Sequence, residues 1–266
     1  MWGFCKRTSE MNLKEETGEL IGTFILVFIG CSSVAGAVVL AAFNSLLEVA
    51  FIWWLGVAIA IYIARNLGPA HLNPAVSLAM LMDKQITFKK LLSYSLFQFI
   101  GALLAGLFVH MIFNPSIEIY EQTNNILRGT KGSHLSAVMF GEFFPNQGFA
   151  KSIGEIGWVK AMLLEAFGSM LMILAIFGIT KNSKENDSFV PWAIGFTVAM
   201  LICFVAPFTQ AGFNPARDFG PRLIAFFTGW GEHAFPTPSF SFFTVYILGP
   251  CLGGVVAVKL KHLIKL

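Results

Sequence analysis

Apolar residues gather into six blocks, at 17–40, 47–64, 88–113, 159–180, 189–207 and 240–258. At about 20 residues, each is long enough to cross a bilayer as a helix. An even number of crossings returns both termini to one side. Two further apolar stretches, Asn73-Pro-Ala-Val-Ser-Leu-Ala-Met-Leu-Met82 and Asn214-Pro-Ala-Arg-Asp-Phe-Gly-Pro-Arg-Leu-Ile-Ala225, are helix-like but too short to span. Each follows a full block through a loop containing Gly and Pro, Gly68-Pro-Ala-His-Leu72 in one case and Pro207-Phe-Thr-Gln-Ala-Gly-Phe213 in the other. Such pairs read as re-entrant half-helices, tolerated at membrane depth only where irregular backbone is buried in protein or lines a water-filled cavity. The expected fold is an all-α membrane protein, a single domain over residues 1–266, with six transmembrane helices and two half-helices around a cavity.

The two halves repeat each other. Trp53-Trp-Leu-Gly56 resembles Trp192-Ala-Ile-Gly195, and Asn73-Pro-Ala75 returns as Asn214-Pro-Ala216. Gln98-Phe-Ile-Gly-Ala-Leu-Leu-Ala-Gly106 parallels Tyr246-Ile-Leu-Gly-Pro-Cys-Leu-Gly-Gly254, and Glu19 with Gly22 parallels Glu165 with Gly168. Repeat one covers about 17–113 and repeat two about 158–260, with three spans in each. An odd number of spans per copy forces the second to run opposite to the first, an inverted 3+3 repeat whose half-helices enter from opposite faces and meet at the midplane.

Composition agrees: 56% of residues are hydrophobic and 12% charged, against roughly 25% charged in a soluble domain. The mean hydropathy of +0.70, with 28 Phe and 25 Gly, fits a polytopic protein whose solvent is the lipid bilayer, the Phe serving as lipid-facing and core packing. A net charge of +3 on scattered basic residues implies no nucleic-acid partner. Cys5 lies in a polar tail, and Cys31, Cys203 and Cys251 sit in apolar blocks without metal-ligand spacing, so they read as packing residues. No metal and no cofactor is expected.

Charge also sets orientation. The termini and the connections on their side carry twelve of the 18 Lys and Arg, among them Lys6, Arg7, Arg65, Lys84, Lys181 and Lys261. The other side carries Arg128, Lys131, Lys151 and Lys160. By the positive-inside rule both termini are cytoplasmic, with 1–16 a cytoplasmic tail and 114–157 an extracytoplasmic loop of an integral protein of the cell membrane. The polar start of the chain is no secretory signal, and the Asn186-Asp-Ser188 sequon is discounted because it falls on the cytosolic side.

The paired Asn-Pro-Ala units carry the chemistry. Asn is a preferred N-cap and Pro suits the first helical position, so Asn73 and Asn214 begin the half-helices and turn amide donors into the cavity. Each half-helix N-terminus bears roughly half a positive charge, which repels cations, and water donated to from both sides conducts protons poorly. Arg217, one turn into the second half-helix, would cost at least ~2.5 to 3.5 kcal/mol if left unpaired in the membrane and is expected to line the pathway. Asp218 or a lipid headgroup is the alternative partner for it. His71 reads as a satisfied structural imidazole. Glu19 and Glu165 are expected to hold the backbone of the re-entrant loops. The long third loop, with Glu118, Glu121, Glu142 and Glu155, reads as a solvated loop, with a part in shaping the outer vestibule as the alternative.

These residues resemble the aquaporin and aquaglyceroporin (major intrinsic protein) family along roughly 17–260. Ala70-His-Leu-Asn-Pro-Ala-Val76 and Asn214-Pro-Ala-Arg217 match its two signature loops. Glu48-Val-Ala-Phe-Ile-Trp-Trp-Leu-Gly-Val-Ala-Ile-Ala-Ile-Tyr62, Asn214-Pro-Ala-Arg-Asp-Phe-Gly-Pro221 and Gly229-Trp-Gly231 with Ala234-Phe235 are similar to its glycerol-facilitator branch, of which Asp218 after the Arg is the usual mark. The resemblance implies a homotetramer with one pore per subunit and a selectivity filter at Trp53, Ile202, Ala211 and Arg217. Trp53 and Arg217 suit glycerol. Ile202 and Ala211 depart from the usual Gly and Phe and resemble the plant nodulin-26-like channels, which pass water, glycerol and small neutral metalloids; Tyr246 replaces an expected Pro.

The expectation is a passive channel for glycerol, water and other small uncharged solutes that excludes protons and ions. The alternatives are a water-selective aquaporin and, from a different class, a secondary transporter of a small polar solute, which would need ionisable groups at the midplane. An enzyme is not expected, since His71, His110, His134, His233 and His262 are scattered and no nucleophile and base converge.

Overall fold

The structure, a computed structural model, describes residues 12–181, 183, 184 and 187–266. Cys5, Lys6 and Arg7 of the expected tail and Asn186 of the sequon lie outside the described residues. In chain order the main helices are α1 Leu13–Val39, α2 Leu46–Ala64, α3 Pro74–Met82, α4 Phe88–Thr123, α5 Trp158–Lys181, α6 Phe189–Thr209, α7 Pro215–Ala225 and α8 Ser241–Leu263. Among the described residues there is no strand, and six of these helices are long and apolar enough to cross a membrane. The helices α3 and α7 are the half-helices.

Local chemistry explains the boundaries. Ser45 and Glu48 form a reciprocal capping box that starts α2. Asn73 and Asn214 hold extended backbones as N-caps of α3 and α7, each followed by Pro at the first helical position. Two expected boundaries move. α1 starts at Leu13 inside the expected 1–16 tail, because Asn12 caps it and Glu15 is drawn onto Lys90 and Tyr94 of α4. α4 does not stop near Phe113 but runs through Pro115 to Thr123. Proline removes a single ladder donor there, beside an exposed Met111, and Glu121 anchors the extension by accepting from Arg128 and Ser136.

Packing repeats between the halves in inverted order. α1 lies on α4 and α2 as α5 lies on α8 and α6, while α2 against α6 joins the halves. Each half-helix crosses over, α3 packing on α8 and α7 on α4. Gly101 of α4 sits against the Leu20 carbonyl of α1, and Gly253 of α8 against the Ala166 carbonyl of α5, where a methyl group would collide with backbone. Close helix approach at small residues is how helices gain contact in lipid, which offers no hydrophobic drive between them. Phe51, Phe108, Phe167, Phe196 and Phe204 point outward, as expected for side chains solvated by acyl chains.

Candidate functional site

The half-helix N-termini meet inside the protein and bind each other's loops. Asn73 Oδ1 accepts from Ala75 N–H at 2.8 Å, and Asn214 Oδ1 accepts from the N–H groups of Ala216 and Arg217 at 3.1 and 3.3 Å. With its oxygen fixed, each amide nitrogen donates across the junction: Asn73 Nδ2 to the Phe213 carbonyl at 2.9 Å, and Asn214 Nδ2 to the Leu72 carbonyl at 2.8 Å. A side-chain amide has two N–H bonds, and both Asn line the large cavity, so one donor on each is left for a solute.

The loops before the Asn are strained in matching ways. Ala70 and Leu72 in the first, and Ala211 and Phe213 in the second, hold φ of 52°, 54°, 61° and 52°. Left-handed backbone costs about 1–2 kcal/mol for a residue with a Cβ, so something must hold it. Glu19 accepts from the N–H groups of His71 and Leu72, both at 2.7 Å, and Glu165 accepts from those of Gly212 and Phe213 at 3.0 and 2.8 Å. Both carboxyl groups are fully buried. Gln98 Nε2 steadies Glu19 at 2.7 Å and also donates to Ser77 Oγ at 3.0 Å, while Thr209 Oγ1 donates to Glu165 at 2.5 Å. Tyr246 sits where Gln98 does in the first repeat, within a π-helical turn at Thr244–Leu248, and donates its hydroxyl to the Thr209 carbonyl at 3.1 Å. His71 Nδ1 is 3.1 Å from Ser77 Oγ, a satisfied imidazole in the cavity wall.

Two cavities end at one set of side chains. The larger, about 1220 Å³, opens on the face that carries Lys14, Asp83, Lys181 and Lys261; the smaller, about 400 Å³, lies under the 124–157 connection. The residues common to both linings are Trp53, Ile202, Ala211 and Arg217. The Arg217 guanidinium carbon stands 4.9 Å from the Trp53 ring centroid, a cation–π contact. Its Nη1 is buried and has no hydrogen-bond partner among the described residues.

On its other side Arg217 meets the long connection, where the structure differs from expectation. Its Nη2 is 2.5 Å from Glu142 Oε1, a residue expected in a solvated loop, and its ion pair among the described residues is with Glu142 and not with Asp218. Glu142 is 2% exposed. Glu121 is also buried, and only Glu118 and Glu155 of that group are exposed. Burial pushes the Glu142 carboxyl up to about 8, against the pull of the Arg217 guanidinium and with Asp218 and Glu165 adding to the push. Asp218 instead binds Arg222, at 2.5 and 3.0 Å, and accepts from Glu142 N–H at 2.8 Å. Arg222 donates in turn to the carbonyls of Glu142 at 2.7 Å and Ala234 at 2.5 Å. The connection is therefore clamped at both its N–H and its carbonyl, which sets the Glu142 carboxyl on Arg217.

The roles of Glu142, Arg222 and Gln98 are not legible in the sequence, though Glu142 has a signal: it is a lone acid in Ala137-Val-Met-Phe-Gly-Glu-Phe-Phe144, too apolar for a solvated loop. The role of Gly30 in α1 is not legible either. A Cβ there would overlap the outer edge of the Trp53 indole. Gly30→Ala is therefore expected to displace that ring toward the pathway at a strain of about 1–3 kcal/mol. Large solutes should be slowed more than water in stopped-flow assays of reconstituted protein, and an unaltered ratio would show that α1 yields instead.

A membrane-spanning channel protein, built of two inverted halves with a mouth at each end, is the class that this fold and site define. Residues 6–260 match the Major intrinsic protein family, and the chain belongs to it. It is 34% identical to the glycerol uptake facilitator protein of Pseudomonas aeruginosa over 88% of this chain and 82% of that one. Identity is 33% to the glycerol uptake facilitator protein of Haemophilus influenzae, over 91% and 90% of the two chains. It is 30% to the propanediol uptake facilitator of Citrobacter freundii, over 88% and 86%. The aquaglyceroporin structure from Plasmodium falciparum shares the fold, with a TM-score of 0.77 and 21% identity over 94% of this chain and 95% of that one.

Proposed function

We propose that the chain is a passive channel that lets glycerol and water cross the cell membrane down their gradients, in a homotetramer whose termini are cytoplasmic. The observation that carries this reading is the junction at Trp53, Ile202, Ala211 and Arg217, where the buried Nη1 of Arg217 has a free donor opposite apolar walls. A polyol matches both sides. Its carbons lie on Trp53 and Ile202, and its hydroxyls accept from Arg217 and then from Asn214 and Asn73 deeper in. Supplying those partners offsets a dehydration cost of ~2–7 kcal/mol per unpaired polar group. The facilitators named above support glycerol as the solute.

The decisive experiment reconstitutes the purified chain and measures water and glycerol permeability side by side. Rapid, non-saturating and ion-independent glycerol flux is expected. Water flux without glycerol flux would make it a water channel, and saturable, ion-driven uptake a carrier. At the midplane, Asn214→Leu is expected to reduce flux far more than Asn214→Ser, because Ser keeps an N-cap worth about 0.5–2 kcal/mol and Leu removes both cap and donor. Equal permeabilities at equal membrane abundance would sink that role for Asn214.

A further inference from the structure

The mouth of the larger cavity is lined by Lys14, Arg65, Lys84, Lys181, Lys184 and Lys261, against the carboxylates of Glu15, Asp83 and Asp187. Those acids are already engaged. Asp83 takes Lys261 Nζ at 2.5 Å and His262 Nε2 at 3.2 Å, Glu15 takes Lys90 and Tyr94, and Asp187 Oδ1 accepts from Phe189 N–H at 2.9 Å. Lys14, Lys84 and Lys184 are exposed and form no ion pair among the described residues. Arg65 sends Nη1 to the Asp187 carbonyl at 2.8 Å, lies 4.3 Å from the Tyr62 ring centroid, and keeps a buried Nε without a partner in the wall of the mouth. A general excess of basic residues on one membrane face needs no such placement, since it is satisfied equally by cations turned toward lipid headgroups or solvent. Here the cations face the cavity, and they come from four connections: the start of α1, the end of α2, the α3–α4 link and the α5–α6 link.

We propose that this mouth is a binding site for a phosphate oxyanion, inorganic phosphate or the phosphomonoester of a small polyol, held by Arg65, Lys84 and Lys184 with Lys14 at the rim. The chemistry is that of the ligand class: a doubly charged tetrahedral oxyanion takes several ammonium donors at once, and a guanidinium N–H adds a directed contact. Such an anion docks in the mouth without passing the junction. A phosphomonoester is also what phosphoryl transfer to a permeated polyol produces, so the site would report accumulated product at the place where more solute emerges. The proposal rests on the channel reading for the direction the mouth faces, while its test needs no flux.

The test is equilibrium dialysis of radiolabelled inorganic phosphate against the purified full chain in zwitterionic detergent, with unlabelled glycerol phosphate as competitor. Saturable binding in the millimolar range is expected, displaced by glycerol phosphate. The double variant Lys84→Gln with Lys184→Gln should weaken it about tenfold or more, and Lys131→Gln with Lys151→Gln, on the opposite face, should not. Size-exclusion elution identical to wild type shows that the variants fold. A second arm repeats the assay in nanodiscs of phosphatidylcholine with and without phosphatidylglycerol. Displacement by the anionic lipid overturns the assignment to a free anion in favour of a headgroup phosphate, and indifference supports the free anion. Absence of saturable binding, or equal loss in both double variants, overturns the proposal. A chain that binds phosphate but passes no glycerol would instead overturn the channel reading alone.

Discussion

Arg217→Ala is expected to give a folded channel that still passes water and glycerol but leaks cations, with a leak that grows as the pH is raised. Sequence alone expects only the loss of a fixed positive charge. The contact between Arg217 and Glu142 adds a second consequence, because the variant leaves a buried carboxyl without its cation. Leaving a neutral buried carboxyl without its hydrogen-bond partner costs about 1–3 kcal/mol, so the variant should melt earlier than wild type. The charge state gives the sign. Burial already raises the Glu142 carboxyl to about 8, and Arg217 is the main group pulling it down. Without Arg217 it rises further, so Glu142 is protonated and neutral at pH 6 and becomes an unpaired negative charge only in alkali.

A unit charge about 10 Å from a passing cation at an effective dielectric of ~20 is worth about 1.7 kcal/mol, so roughly a tenfold rise in cation conductance is expected across that titration. Potassium and proton leak in liposomes, followed from pH 6 stepwise into the alkaline range beyond pH 9, measures it. Adding Glu142→Gln should abolish the alkaline rise. A leak independent of pH and equal in the single and double variants would show that the half-helix dipoles act without help from this pair.

Ile202→His is expected to suppress glycerol flux far more than water flux. Ile202 and Ala211 carry no polar group and share both cavity linings with Trp53 and Arg217, so the junction has an apolar wall and a donor wall. An imidazole would put a planar polar group on the apolar wall. Glycerol then loses the surface for its carbons, and the narrowed gap favours the smaller solute. A misplaced or unpaired polar contact of this kind costs on the order of 1–3 kcal/mol, or about five- to 150-fold in glycerol permeability. Water, which needs less room, should lose only a few-fold. Paired osmotic shrinkage and glycerol re-swelling of the same proteoliposomes decide the matter, and an equal loss of both fluxes would remove Ile202 from size selection.

The spans were legible because a helix in lipid must satisfy its own backbone and be apolar for about 20 residues, and that run is visible without any structure. The half-helices were legible for a related reason: Asn-Pro-Ala starts a helix locally, and ten-residue apolar stretches cannot cross. The buried Glu19 and Glu165 could be assigned to loop support because a carboxylate inside an apolar block needs donors, and the re-entrant loops offer backbone N–H groups that no helix pairs. Trp53, Ile202 and Ala211 are different. Their side chains are ordinary in sequence, and only the resemblance to a family singled them out before the cavities placed them together.

Tertiary structure alone decided the partners. Glu142 lies 75 positions from Arg217, and its neighbours say only that it avoids water. What puts it on the guanidinium is the clamp from Asp218 and Arg222 across the connection, a contact with no periodicity to read. The same holds for Gln98 on Glu19, for Tyr246 on Thr209, and for Gly30 beneath Trp53. Apolar pattern and helix caps are properties of neighbouring residues, so the chain determined its spans, half-helices and inverted repeat by itself. Which buried charge meets which donor is settled when distant segments exclude lipid and water together, because only then does an unpaired group cost enough to fix its partner.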